Sequence, residues 1–575
     1  MVRVLEKAPV SSRQAIHLAP SLAPQAWISI CSPPLRSQTS GPLAGLTFAV
    51  KDNMDVAGMP TTAACPGFAF TPGQHAVVVQ KLLDAGATLI GKTNLDQFAC
   101  GLNGSRSPYG AVPNAFNPAY VSGGSSSGSA YVVATGQVDF ALGTDTAGSG
   151  RVPAGLNNIV GIKPSKGLVS TRGVLPAAQS VDCVSVFART VDMAARVLDV
   201  LAGYDAQDAY SRRLKLKVQP WGASFRFGVP SVLNFFGDAL AKAAFEKSIR
   251  QLVALGGVSV AIDYSPLALA ADLLYNSALV AERYAAIQPF FDAHEADVME
   301  PVRSIIAKGR DYSAADLYAA QTKLRMYGQQ AAAMWNDIDV LLVPTAPTHY
   351  TIAQMQADTV ALNRNLGEYT NFVNLLDYAA IAVPSSLRAD GLPFGVTLIA
   401  PCGSDWQLAG LGQRLHQSTG LKQGSTGLNL AESQSIQAPA APETEARMAV
   451  AVVGAHLTGM PLNTQLTERG AQLVQTTSTA AHYRLYALPN TTPPKPGLKR
   501  VPTDGAAIAL EVWDMPVSQL GSFLALVPAP LGMGKVELAD GSWITGFICE
   551  GFALDAALDV TAHGGWRAYI QSLKK

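Results

Sequence analysis

Gly123-Gly124-Ser125-Ser126-Ser127-Gly128-Ser129-Ala130, followed by Gly143-Thr144-Asp145-Thr146-Ala147-Gly148-Ser149-Gly150-Arg151, sets two serines in backbone too rich in glycine for a helix or strand interior. They are Ser125 and Ser149. Upstream, the apolar run Leu46-Thr47-Phe48-Ala49-Val50 delivers Lys51, then Asp52-Asn53. Taken alone, Lys51 reads first as a surface lysine at a strand end. Joined to the two serine stretches it reads as a buried amine, because burial disfavours the ammonium and a neutral amine can deprotonate a hydroxyl. The three residues together describe acyl transfer with a base other than histidine.

The rest of the chain narrows the class. Its 575 residues exceed what one core usually supports, so two domains are expected. Lysine plus arginine and aspartate plus glutamate each number 42, so no basic excess exists to attract nucleic acid. The segment Met1 to Ile30 has no apolar core of signal-peptide length, and no stretch approaches the roughly 18 apolar residues of a membrane span. Six cysteines (Cys31, Cys65, Cys100, Cys183, Cys402, Cys549) are scattered without a close pair. That is the pattern of reduced thiols in a cytoplasmic protein, and no metal site is expected from it.

Helix and strand signals alternate along the first 430 residues. His75 to Ala85 has apolar Val78, Val79, Leu82 and Leu83 at helical spacing, ended by Gly86, and Ala87 to Ile90 reads as a short buried strand. Ile338 to Val343 and Ala380 to Val383 are strand-like before Pro344 and Pro384. Such repetition indicates a layered α/β catalytic domain, residues 1–430. Composition shifts to Gly, Ser, Gln and Pro from about Gln423, and a linker is expected at 431–446. Beyond it, residues 447–575 read as a small β-rich domain. Its strands are expected at Ala449–Val453, His482–Leu488, Ala507–Trp513, Gly534–Leu538 and Trp543–Cys549, with a terminal helix from Gly565 to Leu573.

Two matches mislead. Gly86 to Thr93 fits the P-loop expression, yet its centre is itself a strand and a helix precedes it, so consecutive N–H groups cannot cradle a phosphate. Gly124 to Gly128 fits a Gly-x-Ser-x-Gly nucleophile elbow. No strand runs into it, and no histidine has a recognisable acid partner.

These motifs are similar to those of the amidase signature family. The resemblance implies a central mixed, twisted sheet covered by helices and a Ser–cis-Ser–Lys triad. Carried over by position, Lys51 is the base, Ser125 the bridging serine in a cis peptide, and Ser149 the nucleophile. The backbone N–H groups of Thr146, Ala147, Gly148 and Ser149 can converge as an oxyanion hole. Asp145 and Arg151 are expected to hold that loop.

Substrate choice is read from Leu273 to Tyr284, taken as one helix. Residues eight apart are about 80° apart in projection, so Tyr275 and Arg283 can face one site and receive a carboxylate. This stretch resembles allophanate hydrolases, as do Lys92 to Ala99, Val453 to Asn463, Pro493 to Leu498 and Gly564 to Tyr569. The resemblance relates the tail in fold to γ-glutamylcyclotransferases and implicates it in breaking down the first product, with His456, His482 and Lys495 as candidates. It implies hydrolysis of allophanate to ammonia and N-carboxycarbamate, overall two ammonia and carbon dioxide, in urea or s-triazine nitrogen catabolism. No cofactor is expected, and a homodimer is. The chain lacks a biotin-acceptor Ala-Met-Lys-Met and reads as a stand-alone hydrolase linked functionally to a separate urea carboxylase. The alternative is another amidase of the family, such as the A-type subunit of a glutamyl/aspartyl-tRNA amidotransferase.

Overall fold

The structure, a computed structural model, describes residues 23–431, 436 and 446–573. Apart from residues 431, 436 and 446, the expected linker lies outside the described residues. The chain divides into two compact units, 1–439 and 440–575.

The first unit is built on one mixed sheet of eleven strands. Its first half contains β1 (Trp27–Leu35), β2 (Thr47–Lys51), β3 (Thr88–Thr93), β4 (Phe140–Asp145), β5 (Val160–Lys163) and β6 (Cys183–Ala188). The second half contains β7 (Phe225–Pro230), β8 (Gly257–Ile262), β9 (Val340–Pro344), β10 (Tyr378–Leu387) and β11 (Pro393–Pro401). They run in the order β1-β3-β2-β4-β6-β5-β10-β11-β9-β7-β8. The β3-β2-β4 and β9-β7-β8 neighbours are parallel and the remaining pairs antiparallel.

Alternation along the central strands decides which helix covers which face. Phe48 and Val50 of β2, with Phe140 and Leu142 of β4, face one core with helices Val77–Asp84, Val191–Leu201 and Asp405–Ser418. Ala49 and Ala141 face the opposite core, where helix Ser127–Ala134 packs. Small residues on that face let the helix approach closely. Gly128 marks the closest point, since a Cβ there would collide with the Ala26 carbonyl oxygen and sit 2.7 Å from the Asn94 nitrogen. The sheet thus brings Lys51, the end of β4 and the start of this helix together.

The P-loop match is ordinary sheet: Gly86 ends a helical turn at φ +88°, and β3 carries Lys92 into a buried ion pair with Asp52 at 3.0 Å.

The second unit has a five-stranded and a three-stranded sheet. In chain order its strands are β12 (Arg447–Val452), β13 (Gln472–Ser478), β14 (Tyr483–Ala487), β15 (Pro496–Arg500), β16 (Ala509–Pro516), β17 (Leu531–Glu537), β18 (Trp543–Cys549) and β19 (Leu558–Asp559). Strands β13, β15 and β19 and a helix, Val517–Leu524, were not expected. β13 is an edge strand with Leu473 and Val474 exposed, so it lacks the alternation of a half-buried strand. β15 opens on Pro496-Gly497, which an edge position tolerates because no ladder donor is needed on its open side. The terminal helix is Trp566–Ser572, with Trp566 in the core.

Gly128→Ala should destabilise the first unit by about 1–3 kcal/mol, because the clash is with backbone that cannot rotate away. Urea denaturation followed by tryptophan fluorescence would register it; an unchanged midpoint would contradict the close-approach argument.

Candidate active site

Lys51 is the last residue of β2 and is 0 % exposed. Its Nζ lies 2.7 Å from Ser125 Oγ and 2.6 Å from Thr144 Oγ1. No carboxylate forms an ion pair with it among the described residues. Burial therefore lowers its pKa to about 7; the charges of Asp182, Asp96 and Asp145 work the other way, and Arg283 adds to the lowering. A dry, neutral amine beside a hydroxyl is a base near neutral pH.

Ser125 follows a cis Gly124–Ser125 peptide. Its carbonyl accepts from the Asp96 N–H at 3.0 Å. The Asp96 carboxylate accepts in turn from the N–H groups of Asn103, Gly104 and Arg106 at 3.2, 3.0 and 3.0 Å. That fixes the 101–106 loop, whose Gly101 carbonyl accepts from Ser149 Oγ at 3.4 Å. This long bond leaves the Ser149 hydroxyl free to turn. No hydrogen bond joins the Ser125 and Ser149 hydroxyls in this arrangement.

Ser149 lies in the turn between β4 and helix Val152–Leu156. Asp145 accepts from the N–H groups of Gly148 and Gly150 at 2.8 and 3.0 Å. Arg151 grips the same carboxylate through Nε and Nη2, both at 2.9 Å, and also donates to the Thr370 carbonyl and to Asn374 Oδ1. The pair is fully buried, and although burial opposes ionisation, the Arg151 guanidinium holds Asp145 below the usual carboxylate range. Asp145 and Arg151 thus hold the loop. The arrangement corrects one expectation: the Gly148 N–H is directed at Asp145 and does not join a convergent set. Among the described residues, the N–H groups of Thr146, Ala147 and Ser149 donate no hydrogen bond. Gly148 itself needs to be glycine, with φ +132° and Thr370 Oγ1 standing against the place a Cβ would take.

Tyr275 and Arg283 do meet, but not as residues of one helix. The helix Ser265–Asn276 stops, Ser277 is extended, and a new helix begins at Ala281. The break is local chemistry: Ser277 Oγ caps the following turn by accepting from the Leu279 N–H. Across it, Arg283 Nη2 donates to Tyr275 Oη at 3.2 Å, and its guanidinium carbon lies 5.1 Å from the tyrosine ring centre. Arg283 is 4 % exposed, and its Nε and Nη1 have no partner. Burial opposes its charge, yet Tyr275, Cys100 and Asp182 more than offset this and the group stays cationic. Burial pushes the Tyr275 hydroxyl up, so it keeps its proton to donate. A cavity of about 220 Å³ opens beside Tyr275, walled by Leu102, Arg106, Asn363 and Asn371.

In the second unit, His456 and Lys495 border one small cavity with Pro496, Leu531 and Phe547. The His456 ring stacks on Phe547 with centres 5.2 Å apart and pairs with Gln465 Oε1 at 2.9 Å. Burial lowers the pKa of His456, and Lys495 lowers it further against the Gln465 bond. His482 is exposed before β14 and does not border this cavity.

Sequence reasoning did not single out Thr144, Thr370, Asn374 or Asp182. Thr144 stood inside the quoted stretch, and its carbonyl accepts from Ser126 Oγ at 3.2 Å. Asn374 Nδ2 donates to the Asp145 carbonyl at 2.7 Å from far along the chain, where no local signal exists.

Comparison with known proteins places both units among described families. The Amidase family model matches residues 31–409, and the model of the allophanate hydrolase C-terminal domain matches residues 448–571. The chain is 43% identical to urea amidolyase of Saccharomyces cerevisiae across 98% of its own length, but spans only 32% of that protein. Allophanate hydrolase of Kluyveromyces lactis superposes with a TM-score of 0.72 at 41% identity, covering 96% of this chain and 94% of that one. The A-type subunit of glutamyl-tRNA(Gln) amidotransferase from Nostoc is 34% identical over 66% of this chain and 85% of its own.

Arg151→Leu removes the cation and leaves Asp145 buried with only hydrogen bonds, at an expected cost of about 3–5 kcal/mol. Adding Asp145→Asn should recover part of it. Chemical denaturation of the three proteins measures this, and a double variant worse than the sum would refute the pairing.

Proposed function

The chain belongs to the amidase family, and from that premise we propose that it hydrolyses allophanate (urea-1-carboxylate) at the site built by Lys51, Ser125 and Ser149. The observation that carries the substrate choice is Arg283: a buried guanidinium beside a protonated tyrosine hydroxyl, with Nε and Nη1 unpartnered. A small anionic amide supplies what it lacks. The carboxylate of allophanate at Tyr275 and Arg283 would leave its far amide carbon for Ser149.

In this reading neutral Lys51 takes the proton of Ser125, which takes that of Ser149 as Ser149 Oγ turns from Gly101 and attacks. The Thr146, Ala147 and Ser149 amides face the developing oxyanion, each such donor contributing about 3 kcal/mol to the transition state. The proton returns through Ser125 to the leaving nitrogen, and ammonia departs. Water then attacks the acyl-enzyme by the same relay and releases N-carboxycarbamate. Breakdown of that product is assigned to the second unit, at the cavity of His456 and Lys495, where a partly desolvated imidazole and a lysine stand beside a space suited to a small anion. His482, remote from the cavity, is left out of this role.

The match of residues 448–571 to an allophanate hydrolase C-terminal domain favours this over the amidotransferase reading, which leaves that unit without a use. With the reading come a cytoplasmic homodimer and a functional link to a urea carboxylase. Among the described residues no helix is long and apolar enough to cross a membrane.

Ser149→Ala should abolish ammonia release from allophanate. Arg283→Ala should raise KM roughly 30- to 100-fold, the loss of about 2–3 kcal/mol in charged hydrogen bonds. Equal turnover of neutral amides by the unaltered chain would defeat the receptor. In the full chain, His456→Ala should leave the first ammonia and slow the second; a stopped-flow ratio of two at all times would remove the tail from the reaction.

A further inference from the structure

Asp182 precedes β6 and is buried, and three donors converge on its carboxylate. Thr146 Oγ1 donates to Oδ1 at 2.5 Å, while the Ala177 and Ala178 N–H groups donate to Oδ2 at 2.7 and 3.2 Å. Among the described residues no cation forms an ion pair with it. Thr146 is the first residue of the loop that ends at Ser149, and its own N–H donates to no acceptor among the described residues. The loop is therefore strung between two buried carboxylates: Asp145, neutralised by Arg151, and Asp182, neutralised by nothing in contact.

We propose that Asp182 is a positioning residue of the amidase site, which fixes Thr146 of the oxyanion loop and serves as the shared counter-charge of Lys51 and Arg283. The inference rests on the function proposed above and deepens it. A buried carboxylate without a contacting cation is costly unless charges nearby compensate it. Its charge acts on two cations that it does not contact, Lys51 and Arg283. Its charge is the largest opposing the lowered Lys51 pKa, ahead of Asp96 and Asp145. Burial in turn raises Asp182 to about 6, against the pull of Thr146, the two amides and Arg283. An anionic substrate seated on Arg283 satisfies that cation directly, leaving Asp182 to act chiefly on Lys51. The same side chain then holds the oxyanion donors in place and sets the pH at which the base becomes free.

The test reads Ser149 itself. The rate at which a fluorophosphonate labels the full-length protein is followed from pH 5 to 9, with no need to know the natural substrate. In the unaltered chain the rate should rise through an apparent pKa near 7, as Lys51 loses its proton. Asp182→Asn removes the charge that favours the ammonium, so this limb should move to lower pH by about one unit, and the plateau should fall about tenfold or more. Thr146→Val keeps the charge and should lower the plateau without a downward shift, and Asp182→Glu should keep the limb near its original place. A purely structural Asp182 would lower the plateau in Asp182→Asn and leave the limb unmoved, which overturns the proposal. Should Asp182→Asn not fold, a full plateau in Thr146→Val overturns it equally. Failure of the unaltered protein to label would instead strike the amidase reading, and labelling without turnover of allophanate would strike only the substrate.

Discussion

A lysine ammonium that has been taken out of water and given no carboxylate is the constraint on which this architecture turns. Lys51 sits at the end of a parallel strand, where the sheet delivers it to Ser125 and Thr144 at 2.7 and 2.6 Å. Two hydroxyls satisfy its hydrogen bonds but cannot repay the loss of hydration for a full charge. The group resolves the conflict by giving up its proton near neutrality. Everything around it serves to keep that environment dry: alanines on one face of β2 and β4, the close-packed helix from Ser127, and the 101–106 loop fastened by Asp96.

The glycine-rich loop shows the opposite solution to burial. Asp145 and Arg151 are as deeply buried as Lys51, yet Asp145 keeps its charge because the guanidinium meets it at 2.9 Å. The Asp145 carboxylate also takes up one amide of the run, that of Gly148, in anchoring the loop. The remaining amides stay unpaired because the turn is already fixed from outside. Rigid placement of unsatisfied donors is what electrostatic stabilisation of a transition state requires.

Much of the site was legible because its chemistry is contiguous in sequence. Lys51, Ser125 and Ser149 each stand in a local pattern, and the decoys at Gly86–Thr93 and Gly124–Gly128 failed on strand placement that is also local. Tyr275 and Arg283 were paired for the wrong geometric reason, since periodicity cannot see that Ser277 breaks the helix by capping a turn. Asn374 and Asp182 were illegible because their partners, Asp145 and Thr146, lie 229 and 36 residues away. In the second unit, strands bounded by turn residues were readable. Edge strands β13 and β15 were not, because one-sided pairing removes both the alternation and the ban on proline.

The buried cations sort by how their charge is met. Lys92 has Asp52 at 3.0 Å and Arg151 has Asp145, and both are fixed parts of the frame. Arg106 and Lys163 are met by backbone carbonyls instead, while Lys51 and Arg283, likewise without a carboxylate among the described residues, escape differently. A lysine can shed its proton; a guanidinium cannot. Arg283 therefore remains a cation with two bare nitrogens, stabilised by the tyrosine oxygen it touches and, without a contact, by Cys100, Asp182 and Glu282. A substrate carboxylate would complete its coordination, whereas a neutral amide of the same size would leave the desolvated charge unmet and also give the Tyr275 hydroxyl a weaker acceptor. For the proposed receptor, discrimination would come from the penalty of leaving a buried charge unpaired by the wrong ligand, beyond what the fit of an apolar wall supplies.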